Sequence, residues 1–286
     1  MNFCKPAAVL LTALLVAACQ PGYQHESVET VADRTMELWL PPILAGDHRS
    51  EANKHRDQYR HPLETLSFFG ISEHDRVIEI NPGGGWYMEI LAPLLFAHGQ
   101  YVAATPDPRI EGLPRYFVAH ARQIQARITE QPQLYGQAEV QFYDPANPVL
   151  GAPNSVDKVL TFRNIHSWIN AGTAEVMFEA FADVLKPGGV LGVVQHRAPE
   201  GIAPDVSAPE GYVSEEAVIA LAEAVGLTFD GSSEINANPE DSRKHPYGVW
   251  TLPPSLRLGD YQAEHYLEIG ESDRMTLRFV KEEAVE

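Results

Sequence analysis

The residues best suited to chemistry stand at the ends of apolar runs. One run ends at Thr161-Phe162, and Arg163, Asn164, His166 and Trp168 follow it. Imidazole titrates near neutrality, so His166 is of a type to take a proton from a nucleophile. Trp168 has the area to stack on a substrate or shield a reaction centre. The same residues would also suit a helix-start network with Trp168 in the core. His196 and Arg197 follow a second run. A guanidinium there can grip a carboxylate or phosphate bidentately, or pair with Glu200. A third cluster reads Glu79-Ile80-Asn81-Pro82-Gly83-Gly84-Gly85. Its glycines permit a tight bend and let a nucleotide-like ligand approach backbone N–H groups without meeting a Cβ. Thr105 and Asp107 flank Pro106, and Asp144 precedes Pro145. His166, His196, Asp241 and His245 are of metal-ligand type and would have to converge to hold a metal. No HxH or HExxH spacing unites them, and no metal site is assigned.

The elements that must position these residues alternate. Strand-like runs fall at 77–80, 101–104, 138–142, 155–162, 190–194, 227–235 and 275–280, and helical spacing at 86–96, 116–130, 171–185 and 214–225. Ser214 is placed to cap the last of these helices, and Lys186-Pro187-Gly188-Gly189 reads as a turn closing the one before it. This order predicts an α/β fold: a doubly wound, mostly parallel seven-stranded sheet with helices on both faces. In such a sheet ligands sit beyond the carboxyl ends of the strands. The stretches at 81–85, 105–107, 144, 163–166, 196–197 and 236–241 would therefore converge. Upstream, 31–40 looks helical with Pro41-Pro42 as its stop, and the charged stretch 47–59 reads as a surface helix. The proline-rich segment 236–260 is long for an ordered loop, which suits a lid or wall.

Composition bounds the function. The chain has 286 residues, 44% of them apolar, enough for one large domain with a real core. Its formal net charge of −18 speaks against a nucleic-acid backbone binder, although a small anionic substrate in a local pocket stays compatible. Lys5, an apolar stretch over 7–18 and the run Val16-Ala17-Ala18-Cys19 resemble a bacterial lipoprotein signal. The expected division is 1–18 signal peptide, 19–45 tether and N-terminal helix, and 46–286 α/β domain. The resemblance implies lipid on Cys19 and a place on the periplasmic side of the envelope. Gln20 in place of an acidic residue suggests the outer membrane. The only other cysteine is Cys4, so no disulfide framework is expected.

From Leu63 to Lys281 the pattern resembles a class I S-adenosylmethionine-dependent methyltransferase. The resemblance rests on Glu79 to Gly85 as the acidic glycine-rich motif, and on Leu185-Lys186-Pro187-Gly188-Gly189-Val190 before a strand. Segments 161–168 and 194–199 are similar to those of a bacterial subgroup of predicted methyltransferases. The resemblance implies S-adenosylmethionine as cofactor and a small-molecule acceptor. Glu79, Asn81, Gly83, Gly85, Thr105, Asp107, Asp144 and Arg163 would bind the cofactor, with Glu79 near the methionine end and Asp144 at the adenine. His166, Asn164, His196 and Arg197 would serve the reaction, with His166 as base. The family usually has an acidic residue at the end of the second strand, where this chain has Thr105. Either Asp107 takes over the ribose hydroxyls or that contact is weaker. An exported, membrane-tethered binding module on the same fold is the alternative expectation.

Overall fold

The computed structural model describes residues 31–283 together with Met1; the expected signal sequence, Cys19 and the tether through Thr30 lie outside the described residues. Among the described residues seven strands form one sheet: β1 Arg76–Ile80, β2 Gln100–Pro106, β3 Glu139–Tyr143, β4 Val156–Phe162, β5 Leu185–His196, β6 Leu227–Ser233 and β7 Arg274–Lys281. Their order is β3-β2-β1-β4-β5-β7-β6, and only β7 runs antiparallel to its neighbours. The chain winds outward from β1 through β2 to β3, then returns to lay β4 against the other side of β1. The crevice between β1 and β4 is thus the topological switch point, where α/β sheets bind ligands.

Each strand alternates its side chains between two cores. Ile78, Ile80 and Val159 pack with Phe178 and Phe181 on one face. Val77, Tyr101 and Leu160 pack with Ile90, Leu91 and Leu95 on the other. Burial on both faces makes these strands read as near-continuous apolar runs. Trp168 belongs to the first core, 5.6 Å from the Phe181 ring, so it packs the fold and does not face a ligand.

Local details differ from the expectations in three places. Pro41 and Pro42 do not end the N-terminal helix. They fall in the first turn of Leu40–Ala45, where missing N–H donors are tolerated, after a π-helical stretch at Thr35–Trp39. The 186–189 segment does not separate helix from strand. Leu185 already pairs with Val156, and a bulge with Gly188 at φ 76° absorbs the turn inside β5. The charged stretch 47–59 forms two short helices, Glu51–His55 and Asp57–Arg60, with Ser50 Oγ accepting from the Asn53 N–H. It is not wholly at the surface, because Arg49 and Arg60 are buried.

The 236–260 segment is pinned from within. Asp241 accepts from the Tyr212 hydroxyl, His245 Nε2 and the Arg243 and Asp273 N–H groups. A further helix, Ala263–Ile269, follows the segment and was not foreseen. Among the described residues no helix is long and apolar enough to cross a membrane.

Candidate functional site

A cavity of about 560 Å³ opens over the switch point, within the usual range of small-molecule sites, roughly 300–1,000 Å³. Its floor is Asn81, Gly83 and Gly84 after β1 and Thr105 at the end of β2. Helix Arg115–Glu130 supplies Tyr116, Phe117 and His120 on one side. Phe162, Arg163, Asn164 and His166 bound the other, beside His196 from β5. Val249, Trp250 and Pro253 to Ser255 form a wall, so the long segment lines the cavity as expected.

The bend after β1 holds Asn81 at φ 51° and Gly83 at φ 58°. Asn adopts this region more readily than most side chains, and Asn81 is fixed there from β3, its Oδ1 accepting from the Tyr143 hydroxyl at 2.9 Å. A Cβ built on Gly83 or Gly84 would meet nothing within 4 Å, so both face open space. Gly85 has another task. At φ 80° it lets the chain turn under helix Arg115–Glu130, where a Cβ would stand 3.2 Å from Ile124 and from Arg127. It packs behind the cavity and does not line it.

Glu79 lies on the second-core face of β1 because strand alternation puts it beside Val77. It is 2% exposed, and its Oε2 accepts from the Tyr101 hydroxyl at 2.7 Å. Burial pushes its carboxyl up to about 7, against the opposing pull of that hydrogen bond, Arg163 and Arg60. Thr105 is buried at the expected position. Asp107 stands outside the cavity, clasped through both oxygens by Arg109, which holds it down at about 2. Asp144 is exposed and accepts from the Ala146 N–H, a turn contact before β4 that does not reach the cavity. Arg197 is also outside. It bonds Asp273 and Glu234 through paired contacts and Glu215 at 3.1 Å, tying β5 to the start of β7. Its partners are these three carboxylates and not Glu200.

Asn164 donates Nδ2 to Ile80 O (2.8 Å) and Thr161 Oγ1 (3.1 Å), stitching β4 to β1 at the switch point. Its neighbour Arg163 sits at φ 66°, a sparsely populated conformation for a side chain of this size. His166 is held by Gln195. The Gln195 amide is oriented at both ends: Oε1 accepts from the Ile165 N–H and Nε2 donates to Gly211 O. Its remaining N–H faces His166 Nδ1 at 3.3 Å. Nδ1 is therefore an acceptor, and neutral His166 carries its proton on Nε2. Burial lowers this imidazole to about 4, so it is neutral at physiological pH. Burial also lowers His196, whose ring lies 5.9 Å from that of His166. Asp241 and His245 pair with each other in the wall, apart from these two. Among the described residues no three His, Cys, Asp or Glu side chains are grouped as a metal site.

Reading along the chain missed one polar side of the cavity: Arg56 and Arg60 from the N-terminal helices, and Glu271 and Ser272 before β7. Arg274 stands directly behind them. Because β7 is antiparallel, its first residue Arg274 pairs with His196 at the end of β5. That reversal delivers a polar run, Glu271 to Arg274, to the ligand end of the sheet. A polar run abutting an apolar strand was the available signal.

No family model matches this chain, and no curated protein matches it. Solved structures share its fold at low identity. A SAM-dependent methyltransferase from Aquifex aeolicus is 14% identical, with a TM-score of 0.52, over 79% of this chain and 92% of that one. A putative sarcosine dimethylglycine methyltransferase from Galdieria sulphuraria is 14% identical, with a TM-score of 0.54, over 86% and 92%. The 4+2 cyclase SpnF is 15% identical, with a TM-score of 0.54, over 83% and 84%. The sheet order and these matches together give a class I methyltransferase-like fold.

Proposed function

We propose that this chain is an S-adenosylmethionine-dependent methyltransferase acting on a small acceptor. The observation that carries the reading is convergence: the glycine bend, Glu79 and the 163–166 cluster meet in one cavity at the switch point. The residues suit the cofactor at its methionine end. Among the described residues nothing covers the cradle at Gly83 and Gly84, and no cation is bonded to the buried Glu79 carboxyl. A positive group beside Glu79 would relieve the cost of ionising it there. At the ribose end Thr105 offers only a neutral hydroxyl, a weaker partner than a carboxylate. When bound, the cofactor supplies an electrophilic methyl group.

The chain's own residues would then work by position. Phe162 stacks on Tyr87 at 3.5 Å and keeps that flank dry. Asn164 holds the β1 and β4 ends at a fixed spacing. His166 presents Nε2–H and donates a hydrogen bond to the acceptor. To act as base it would have to change tautomer, against the hold of Gln195 on Nδ1. We extend the proposal to location: lipid on Cys19 tethers the chain to the periplasmic side of the envelope, on the resemblance of residues 1–19 to a lipoprotein signal.

A second reading keeps the fold and the tether but gives the cavity another ligand. Thr105 favours it, as does export, since S-adenosylmethionine is made in the cytoplasm. Fold alone does not choose, and a cyclase shares this one. Calorimetric titration of the full chain in detergent with S-adenosylmethionine and S-adenosylhomocysteine separates the two. Micromolar binding supports the methyltransferase, and heat-silent titrations with both ligands would remove it.

A further inference from the structure

The side of the cavity built by Arg56, Arg60 and Glu271 carries more positive charge than its carboxylate answers. Arg56 Nε donates to Glu271 Oε1 at 2.7 Å, Arg60 Nε to Oε2 at 3.3 Å, and Arg274 Nη1 lies 3.1 Å from Oε2. Burial works to raise Glu271, but Arg274, Arg60, Arg163 and Arg56 hold it down at about 2. One carboxylate has room for about four hydrogen bonds, and these contacts use most of them. Among the described residues Arg56 Nη2 and Arg60 Nη2 stay buried without a hydrogen-bond partner. The Arg163 guanidinium, facing the cavity, makes no hydrogen bond or ion pair among the described residues.

Four guanidiniums thus surround one ionised Glu271, while Glu79 adds negative charge only as pH rises through about 7. A buried charge left without a counter-charge is strongly destabilising, so a ligand of opposite sign would be favoured here. The cofactor proposed above is not one. It bears a sulfonium, an ammonium and one carboxylate, so its own net charge is positive. Something else that enters this cavity must be an anion. The net charge of −18 makes the feature more telling, because the rest of the chain would repel such a ligand from a distance.

We infer that the acceptor is an oxyanion-bearing small molecule whose carboxylate or phosphate docks on Arg163, with Arg56 and Arg60 behind it. Docking there would hold the rest of the molecule against His166, His196 and Trp250, whose ring lies 5.8 Å from that of His166. The word acceptor rests on the methyltransferase reading; the anion site rests on the charge count alone. The strained φ of Arg163 is consistent with a side chain aimed for a ligand.

The experiment is calorimetric titration of the full chain in detergent, at constant ionic strength, with inorganic phosphate and with benzoate. Each probe is run with and without saturating S-adenosylhomocysteine. At least one probe should bind in both conditions. Arg163→Asn, which removes the cation and tolerates the left-handed backbone, should weaken that binding about tenfold or more. The same variant should weaken S-adenosylhomocysteine binding by a clearly smaller factor, equal weakening of both overturning the inference, and the exposed Arg109→Gln should change neither. If Arg163→Asn does not fold, Arg56→Gln must show the weakening instead. Binding of neither probe, or binding indifferent to both arginines, overturns the inference. So does mutual exclusion of probe and S-adenosylhomocysteine, because the cluster would then serve the cofactor's own carboxylate. Probe binding that depends on Arg163 when S-adenosylhomocysteine does not bind supports the anion site and sinks the methyltransferase reading.

Discussion

Glu79→Gln is the most informative single change. The glutamine is isosteric and its Oε1 can keep accepting from the Tyr101 hydroxyl, so the substitution removes the charge and little else. In the folded chain burial holds the Glu79 carboxyl at about 7, against 4.5 in an unfolded one. Between those two values the native state binds the extra proton, so stability falls as pH rises through this window. At ~1.4 kcal/mol for each tenfold in the proton equilibrium, ionised Glu79 costs the native state about 3 kcal/mol above pH 7. For a domain of this size that corresponds to roughly 6–12 °C in Tm. Glu79→Gln is therefore expected to melt higher than the parent at pH 8, with the gap closing toward pH 4.5, in thermal scans across that range. The same charge should favour a cationic ligand. Parent affinity for S-adenosylmethionine should rise with pH through 7 and release a proton, while the variant binds weakly with a flat pH profile. A variant that melts no higher than the parent at pH 8, or a gap unchanged at pH 4.5, refutes the reasoning.

Three further outcomes are expected. Thr105→Asp should destabilise the unliganded chain by burying a carboxylate, yet tighten S-adenosylhomocysteine binding about tenfold through a charge-assisted bond to the ribose; calorimetry reads the affinity and a melting curve the stability. Asp241→Ala strips four donors of their acceptor, so it should cost about 3 kcal/mol in denaturant unfolding and open the 236–260 wall to limited proteolysis. If methyl transfer is assayed, its pH profile should lack a limb near 6.5 from His166, whose burial lowers it to about 4; a limb near 6.5 that vanishes in His166→Asn would restore the base role.

Much of the fold was legible because its central strands are buried on both faces. A run such as Val156–Phe162 announces itself by composition, and turns at Gly83 and Gly226 mark where helices begin and end. The strand ends, and hence Glu79, Asn81, Arg163 and His166, followed from that reading with no coordinates. Gly85, Asp107, Asp144 and Arg197 were harder. Each sits near a strand end, but one residue of displacement decides whether a side chain faces the crevice, a helix or solvent. Asp107 and Arg197 found local partners of opposite charge, Arg109 for one and Asp273 for the other.

What the sequence determined by itself was the alternation of elements, the class of sheet and the rim on which ligands are met, because periodicity and glycine placement are local properties of the chain. What only the tertiary structure decided was the company each polar group keeps. The reversal of β7 and the inward turn of the N-terminal helices bring Glu271, Arg274, Arg56 and Arg60 together with Arg163, from positions more than a hundred residues apart. Electrostatics in a buried site depends on distance through space and on lost solvent. Neither quantity is written in the order of residues, so the charge character of the cavity could be known only once the chain had closed around it.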